Sequence, residues 1–256
     1  MTPFFQDKVV VVTGASSGIG KETALAFGRS GACVVLVARR GELLRQVAGE
    51  NPHLRLFLIV ADITRPDAAT DIVETTLRKF GRIDIFVNNA GLGLRAFVAD
   101  LKFEDAQRVM ELNFFAVLRC IQAVLPVMRR QRSGQIVNIL SILGAIAPPR
   151  YAVYSASKFA VRALSDALRL EVRRDGIDVI SILPGDTDTP FFESQIGGPE
   201  RGTSMRGLSP ARVAEAILHA CQRRSREVTL PALCKVGHWM KRLAPGFVDW
   251  SLRRSV

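Results

Sequence analysis

Short runs of branched and apolar residues recur along the chain with helical patterns between most of them, and this alternation constrains the fold more than any other feature. The runs are KVVVVTG (8–14), ACVVLVAR (32–39), LRLFLIVAD (54–62), IDIFVNNAG (83–91), QIVNILS (135–141), IDVISILPG (177–185) and EVTLP (227–231). They are apolar throughout rather than at every second position, which is what a strand needs when helices cover both faces of its sheet. Helical patterns occupy 18–31, closed by a glycine, and regions near 66–80, 102–131, 151–174 and 209–223. Strand–helix alternation with right-handed crossovers leaves few topologies. The expectation is an α/β fold, a doubly wound parallel sheet of about seven strands with helices on both faces. No Pro/Gly/Ser-rich linker, low-complexity tract or short repeat divides the 256 residues, so 1–256 reads as one domain.

With 48% hydrophobic residues the chain can bury a substantial core. Its four cysteines, Cys33, Cys120, Cys221 and Cys234, form no CxxC pair and no cluster with the three histidines, so neither a metal site nor a disulfide framework is expected. A reducing cytoplasm fits best. The amino terminus lacks a basic stretch followed by a long apolar run, and no uninterrupted apolar segment reads as long enough to cross a bilayer, so a protein neither secreted nor membrane-spanning is expected. Net charge is +11; from Arg206 onward ten Lys or Arg face three acids, so most of the excess lies in the last fifth. Such charge suits nucleic acid, an anionic membrane surface or a phosphorylated cofactor. With no aromatic stacking platform or helix-turn-helix signal, a nucleic-acid partner is not expected.

TGASSGIG (13–20) follows the first strand and opens the first helix. Gly14, Gly18 and Gly20 allow a tight turn and let backbone approach a pyrophosphate, whose charge meets the unpaired N–H groups of the helix amino terminus. The sheet is therefore expected to be of the Rossmann type. The second strand of such a fold normally ends in an acid that bonds a free ribose 2′-hydroxyl. Here Ala38 stands at that place and Arg39 and Arg40 follow, so a guanidinium is available for a 2′-phosphate, favouring NADP(H) over NAD(H). The alternative is that both arginines are solvated loop charges.

YSASK (154–158) places Tyr154 and Lys158 at i and i+4 of a helix, where they are neighbours. An adjacent ammonium would stabilise a phenolate and bring the tyrosine toward use as a general acid or base. Small Ser155, Ala156 and Ser157 leave room for a ligand. Ser141, at the carboxyl end of a strand, could donate to the same substrate oxygen.

Together these features resemble the short-chain dehydrogenase/reductase family from about Lys8 to Pro190: TGASSGIG, NNAG (88–91), Asn113 within ELNFF, Ser141 with Tyr154 and Lys158, and PG at 184–185 agree in order and spacing. The resemblance implies an oxidoreductase that moves a hydride between NADP(H) and a carbonyl or secondary alcohol. Tyr154 would be the proton donor and Ser141 would position and polarise the oxygen. Lys158 would hold the nicotinamide ribose and depress the tyrosine pKa, and Asn113 would fix a water relaying protons to Lys158. The turn residues Ser16, Ser17 and Ile19 would line the cofactor. Asp62 and Ile63 would meet the adenine, Asn89, Ala90 and Gly91 the adenosine ribose, and Pro184, Gly185, Thr187 and Thr189 the nicotinamide end. Asn88 reads equally well as a strand-end residue satisfying the sheet. Asp186 and Asp188 make this loop more acidic than the family pattern.

Residues 190–208, with Phe191 and Phe192, read as a substrate lid with an apolar root. Leu92, Leu94, Ile142, Leu143, Tyr151 and Val153 are expected to complete an apolar wall, so the expected substrate is an apolar ketone, aldehyde or secondary alcohol. A homodimer or homotetramer is the expected assembly. A basic extension, 232–256, carries Val236, Met240, Leu243 and Phe247 at helical spacing, with Lys235, Lys241, Arg242, Arg253 and Arg254 around them; Pro245 divides it into two short helices. It would pack on the substrate cleft or another subunit, or else contact a membrane peripherally. The competing functional class is a catalytically silent NADP(H)-binding sensor or scaffold, which would ordinarily lack one of Ser141, Tyr154 or Lys158.

Overall fold

The computed structural model describes residues 3–198 and 207–252. Each apolar run becomes a strand: β1 (Val9–Thr13), β2 (Cys33–Ala38), β3 (Leu56–Val60), β4 (Ile85–Asn88), β5 (Gly134–Ile139), β6 (Ile177–Pro184) and β7 (Glu227–Leu230). They form one sheet in the order β3-β2-β1-β4-β5-β6-β7, with every neighbouring pair parallel. The helices are α1 (Gly18–Arg29), α2 (Gly41–Gly49), α3 (Ala68–Phe80), α4 (Phe103–Met110), α5 (Ala116–Gln131), α6 (Ala152–Glu171), a single turn α7 (Phe191–Ser194), α8 (Pro210–Arg223), α9 (Cys234–Leu243) and α10 (Pro245–Leu252).

Successive side chains of a strand point to opposite faces, and here each face is apolar. Val10, Val12, Val34 and Leu36 pack with Ala24 and Phe27 of α1 and Val213 and Ile217 of α8. Val11, Val35, Phe86 and Ile136 pack on the other side with Ile72 of α3, Val117 and Ile121 of α5 and Leu168 of α6. Double burial is the reason the runs lack polar alternation. Because the chain runs outward from β1 to β3 and then returns to the far side of β1 for β4, the carboxyl ends of β1 and β4 open a crevice where ligands of such sheets bind.

Three local features differ from the sequence expectation. Helix α2 was not anticipated; it is nine residues long and buries only Leu44 and Val47, too few apolar positions to register as a period. The helical region 102–131 contains a π-turn, Glu111–Phe115, between α4 and α5. Phe103–Gln131 is also, among the described residues, the one helix long and apolar enough to cross a membrane by length and composition. Here its Val117, Cys120, Ile121 and Val124 lie in the core. Asn88 is structural: its Nδ2 donates to Asn138 Oδ1 at 2.8 Å, and Asn138 Nδ2 donates to Ser165 Oγ at 2.8 Å, joining β4, β5 and α6 inside the protein.

Candidate active site

The glycine turn leaves β1 with Gly14 at φ 68° and Gly18 at φ 54°, in the region open to glycine. A Cβ on Gly14 would lie 2.8 Å from Asn89 Nδ2 and 2.9 Å from Ala90 Cα. The Asn89 amide occupies that space because it donates to Thr13 O at 2.9 Å and Gly14 O at 3.3 Å, so β4 clamps the turn that β1 feeds. Gly20 lies beneath the turn, where a Cβ would strike Gly14 O and the same amide. Ser17 is the N-cap of α1, yet its side chain caps no N–H of that helix. A backbone drawn this close, opening onto an uncapped helix terminus, fits the pyrophosphate of a dinucleotide.

At the next strand ends the two arginines take different partners. Arg40 Nη2 donates to Ser16 Oγ at 3.0 Å and Ser17 Oγ at 2.8 Å, folding back over the glycine turn. Arg39 lies 3.5 Å from Asp62 Oδ2. Burial alone would raise the Asp62 pKa, but hydrogen bonds from the Thr64 N–H and hydroxyl, together with Arg39, hold it below the usual range. Ala38 at the end of β2 is buried and offers no acid. The arrangement gathers two cations and two hydroxyls at the carboxyl ends of β1 and β2.

The reacting end lies across the sheet. Tyr154, Ser157 and Lys158 sit on the buried face of α6. The Tyr154 phenol and Ser141 both line the cleft, Ser141 is close enough to lower the phenol's pKa, and Ser141 Oγ accepts the Leu143 N–H at 3.1 Å. Lys158 Nζ donates to Ile139 O at 3.0 Å and lies 5.8 Å from the Tyr154 ring centroid. The expectation that Lys158 depresses the tyrosine is not met in this structure. Burial raises the Tyr154 pKa; Ser141 pulls it back, while Asp186 and Tyr151 push it further up. The lysine itself is lowered to about 8, because burial penalises its charged form.

Asn113, in the π-turn, is fully engaged: Oδ1 accepts the Leu92 N–H at 2.8 Å, and Nδ2 donates to Leu92 O at 3.0 Å and Ser157 Oγ at 3.0 Å. Its side chain thus ties the segment after β4 to α6. At the end of β6, Thr187 turns inward and donates to Gly185 O at 3.0 Å. Thr189 lies against Gly18, whose added Cβ would come 3.0 Å from Thr189 Cγ2.

One cleft of about 1230 Å³ runs from the arginines to Tyr154, and every residue expected at the site lines it except Gly20 and Asn113, which support it from beneath. The apolar wall includes Leu92, Ile142, Leu143, Tyr151, Phe191 and Phe192. Leu94 and Val153 do not line it; Leu94 is buried in a bridge to Ile196. Phe191 packs on Tyr154 with ring centroids 5.9 Å apart, and residues 93–95 hold the following segment by Ile196 N–Gly93 O at 3.0 Å and Arg95 N–Ile196 O at 2.9 Å. Part of the anticipated lid, 199–206, lies outside the described residues. Gln107, Arg108 and Glu111 also reach the cleft, and nothing in their sequence surroundings marks them. Tertiary folding alone brings the α4 end there.

A family model described as short chain dehydrogenase matches residues 8–197. The chain is 39% identical over 223 residues to an uncharacterised oxidoreductase of Staphylococcus saprophyticus, covering 86% of this chain and 93% of that protein. It is 34% identical over 261 residues to dehydrogenase/reductase SDR family member 7B of Bos taurus, covering 96% of this chain and 80% of the relative. Its fold superimposes with a TM-score of 0.87 on the crystal structure of a short-chain dehydrogenase/reductase from Burkholderia phymatum in complex with NAD, at 22% identity over 96% of each chain.

Proposed function

Because the chain belongs to the short-chain dehydrogenase/reductase family, we propose that it is an NADP(H)-dependent oxidoreductase acting on an apolar ketone, aldehyde or secondary alcohol. The observation that carries this reading is the buried Tyr154 phenol beside Ser141 and Lys158 at one end of a cleft whose other end holds Arg39 and Arg40. The dinucleotide supplies the hydride donor or acceptor when bound. The glycine turn and α1 would hold its pyrophosphate, Arg39 and Arg40 its 2′-phosphate, and Lys158 its nicotinamide ribose.

The chain's own groups supply the proton chemistry. Burial keeps Tyr154 protonated at neutral pH, the state required to donate to a carbonyl oxygen. Ser141 Oγ accepts the Leu143 N–H; its O–H, which faces the Tyr154 oxygen, would turn to the substrate oxygen between them. Lys158, with a pKa of about 8, is largely charged at neutral pH and places a cation beside the oxyanion that forms as Tyr154 gives up its proton. Asn113 is a positioning residue, acting through Leu92 and Ser157. Phe191, Phe192, Leu143 and Ile142 offer the substrate apolar contact.

The test is to titrate the protein with NADPH and NADH while following nicotinamide fluorescence, then to assay a panel of apolar ketones. Tighter binding of NADPH and reduction of at least one ketone are expected. Tight binding without turnover on any carbonyl or alcohol would overturn the enzymatic reading in favour of a cofactor-binding scaffold.

A further inference from the structure

In a helix of a soluble domain the apolar side normally faces the protein, but α9 is turned the other way. Cys234, Gly237 and Lys241, spaced along one side, are half-buried, and a Cβ on Gly237 would lie 3.4 Å from Ile146 Cδ1 in the body of the protein. The opposite side presents Val236 (51% exposed), Trp239 (62%), Met240 (37%) and Leu243 (80%). Leu233 precedes this face, and Phe247 and Trp250 of α10, with ring centroids 6.1 Å apart, extend it. The stripe thus does not pack on the substrate cleft, the first destination expected from sequence.

We propose that this aromatic-rich face docks on an anionic lipid bilayer. Residues 232–256 carry five Lys or Arg against one Asp, and Lys235 is exposed beside the apolar row. Tryptophan suits the boundary between headgroups and acyl chains, since its ring is apolar and its N–H remains hydrated. Apolar insertion combined with attraction of Lys and Arg to anionic headgroups is the recognised means of interfacial attachment. A second copy of this chain is the less suitable occupant. A two-fold contact through this face would bring two equally basic tails together, whereas an anionic surface complements them.

The docking has a consequence for substrate. Helix α9 leans on Ile146, within the loop whose Ile142, Leu143, Pro148 and Pro149 line the cleft. The bilayer would then lie next to the substrate-side wall, and the substrate class would be an apolar carbonyl or alcohol dissolved in lipid. This last step rests on the oxidoreductase reading; the docking itself does not.

Both tryptophans of the chain, Trp239 and Trp250, lie on the proposed face, so intrinsic emission reports directly on insertion. The full chain is mixed with vesicles of phosphatidylcholine alone, or of phosphatidylcholine with phosphatidylserine, at about 50 mM and about 500 mM salt. Co-sedimentation with the anionic vesicles and a blue shift of emission are expected at low salt. Binding should fall by about tenfold or more in neutral vesicles, at high salt, and in the exposed-surface variants Lys235→Glu and Leu243→Ser. No sedimentation and no shift at low salt would overturn the proposal. A concentration-dependent dimer abolished by Trp239→Ser, in a protein that ignores vesicles, would overturn it in favour of a subunit interface. Reduction of a water-soluble ketone by the same preparations keeps the readings separate: turnover without vesicle binding sinks only the docking, and vesicle binding without turnover sinks only the oxidoreductase.

Discussion

Replacing Lys158 by methionine should remove activity and at the same time stabilise the protein. The fall of its pKa from 10.5 to about 8, caused by burial, corresponds at ~1.4 kcal/mol per pKa unit to ~3 kcal/mol by which the folded state disfavours the ammonium. Methionine fills a similar volume without charge but forfeits the bond from Nζ to Ile139 O, a loss of about 1 kcal/mol. The net expectation at pH 7 is a gain of about 2 kcal/mol, or roughly 4–8 °C in Tm for a chain of this size. Between about pH 8 and 10.5 the unfolded chain keeps the lysine proton while the folded chain has released it. The parent therefore regains stability as pH rises through that window, and below it the penalty is fully present. The advantage of Lys158→Met should thus be largest at pH 7, shrink above pH 8, reach zero roughly 1.5 pH units higher and reverse to a deficit of about 1 kcal/mol near 10.5, where only the lost bond to Ile139 O remains. Thermal unfolding of both proteins without added dinucleotide, followed by circular dichroism from pH 7 to 10, measures it. A variant less stable than the parent at pH 7, or a difference that ignores pH, would refute the assignment of Lys158 as a buried cation retained at the expense of stability.

Tyr154→Phe should leave NADPH binding nearly intact and lower turnover by about a hundredfold to ten-thousandfold, the range for a positioned acid; stopped-flow assays on a confirmed ketone decide it, and unchanged turnover removes the mechanism. Arg40→Gln, which breaks the contacts to Ser16 and Ser17, should weaken NADPH by about tenfold and NADH little. Ala38→Asp combined with Arg39→Gln should swing the preference toward NADH, and equal losses for both cofactors would mean that the arginines do not read the 2′-position. Gly14→Ala combines a φ of 68° with a Cβ 2.9 Å from Ala90 Cα, so it should cost about 1–3 kcal/mol in stability. It should also weaken both dinucleotides, and calorimetric titration equal to the parent would disprove the close approach.

The sequence alone determined the features that depend on neighbours along the chain. Doubly buried strands need unbroken apolar runs, a turn with positive φ needs Gly14 and Gly18, an i, i+4 pair puts Tyr154 and Lys158 on one side of α6, and Pro245 separates α9 from α10. Each is a rule about backbone geometry within a few residues, so it is legible before any folding is known. Tertiary structure decided what depends on surroundings brought from elsewhere. Arg40 and Arg39 follow one another in sequence, yet Arg40 turned to the serines of the glycine turn and Arg39 to Asp62. Asn113 was recognisable, but only packing showed its amide committed to Leu92 and Ser157. The spacing of Tyr154 and Lys158 suggested a depressed tyrosine, whereas in the fold desolvation outweighs proximity for both groups. The apolar stripe of the tail was visible as a period, but a period does not say which side faces the protein. Charge state and exposure are set by how much water the rest of the chain excludes, and that sum is made only when distant segments meet.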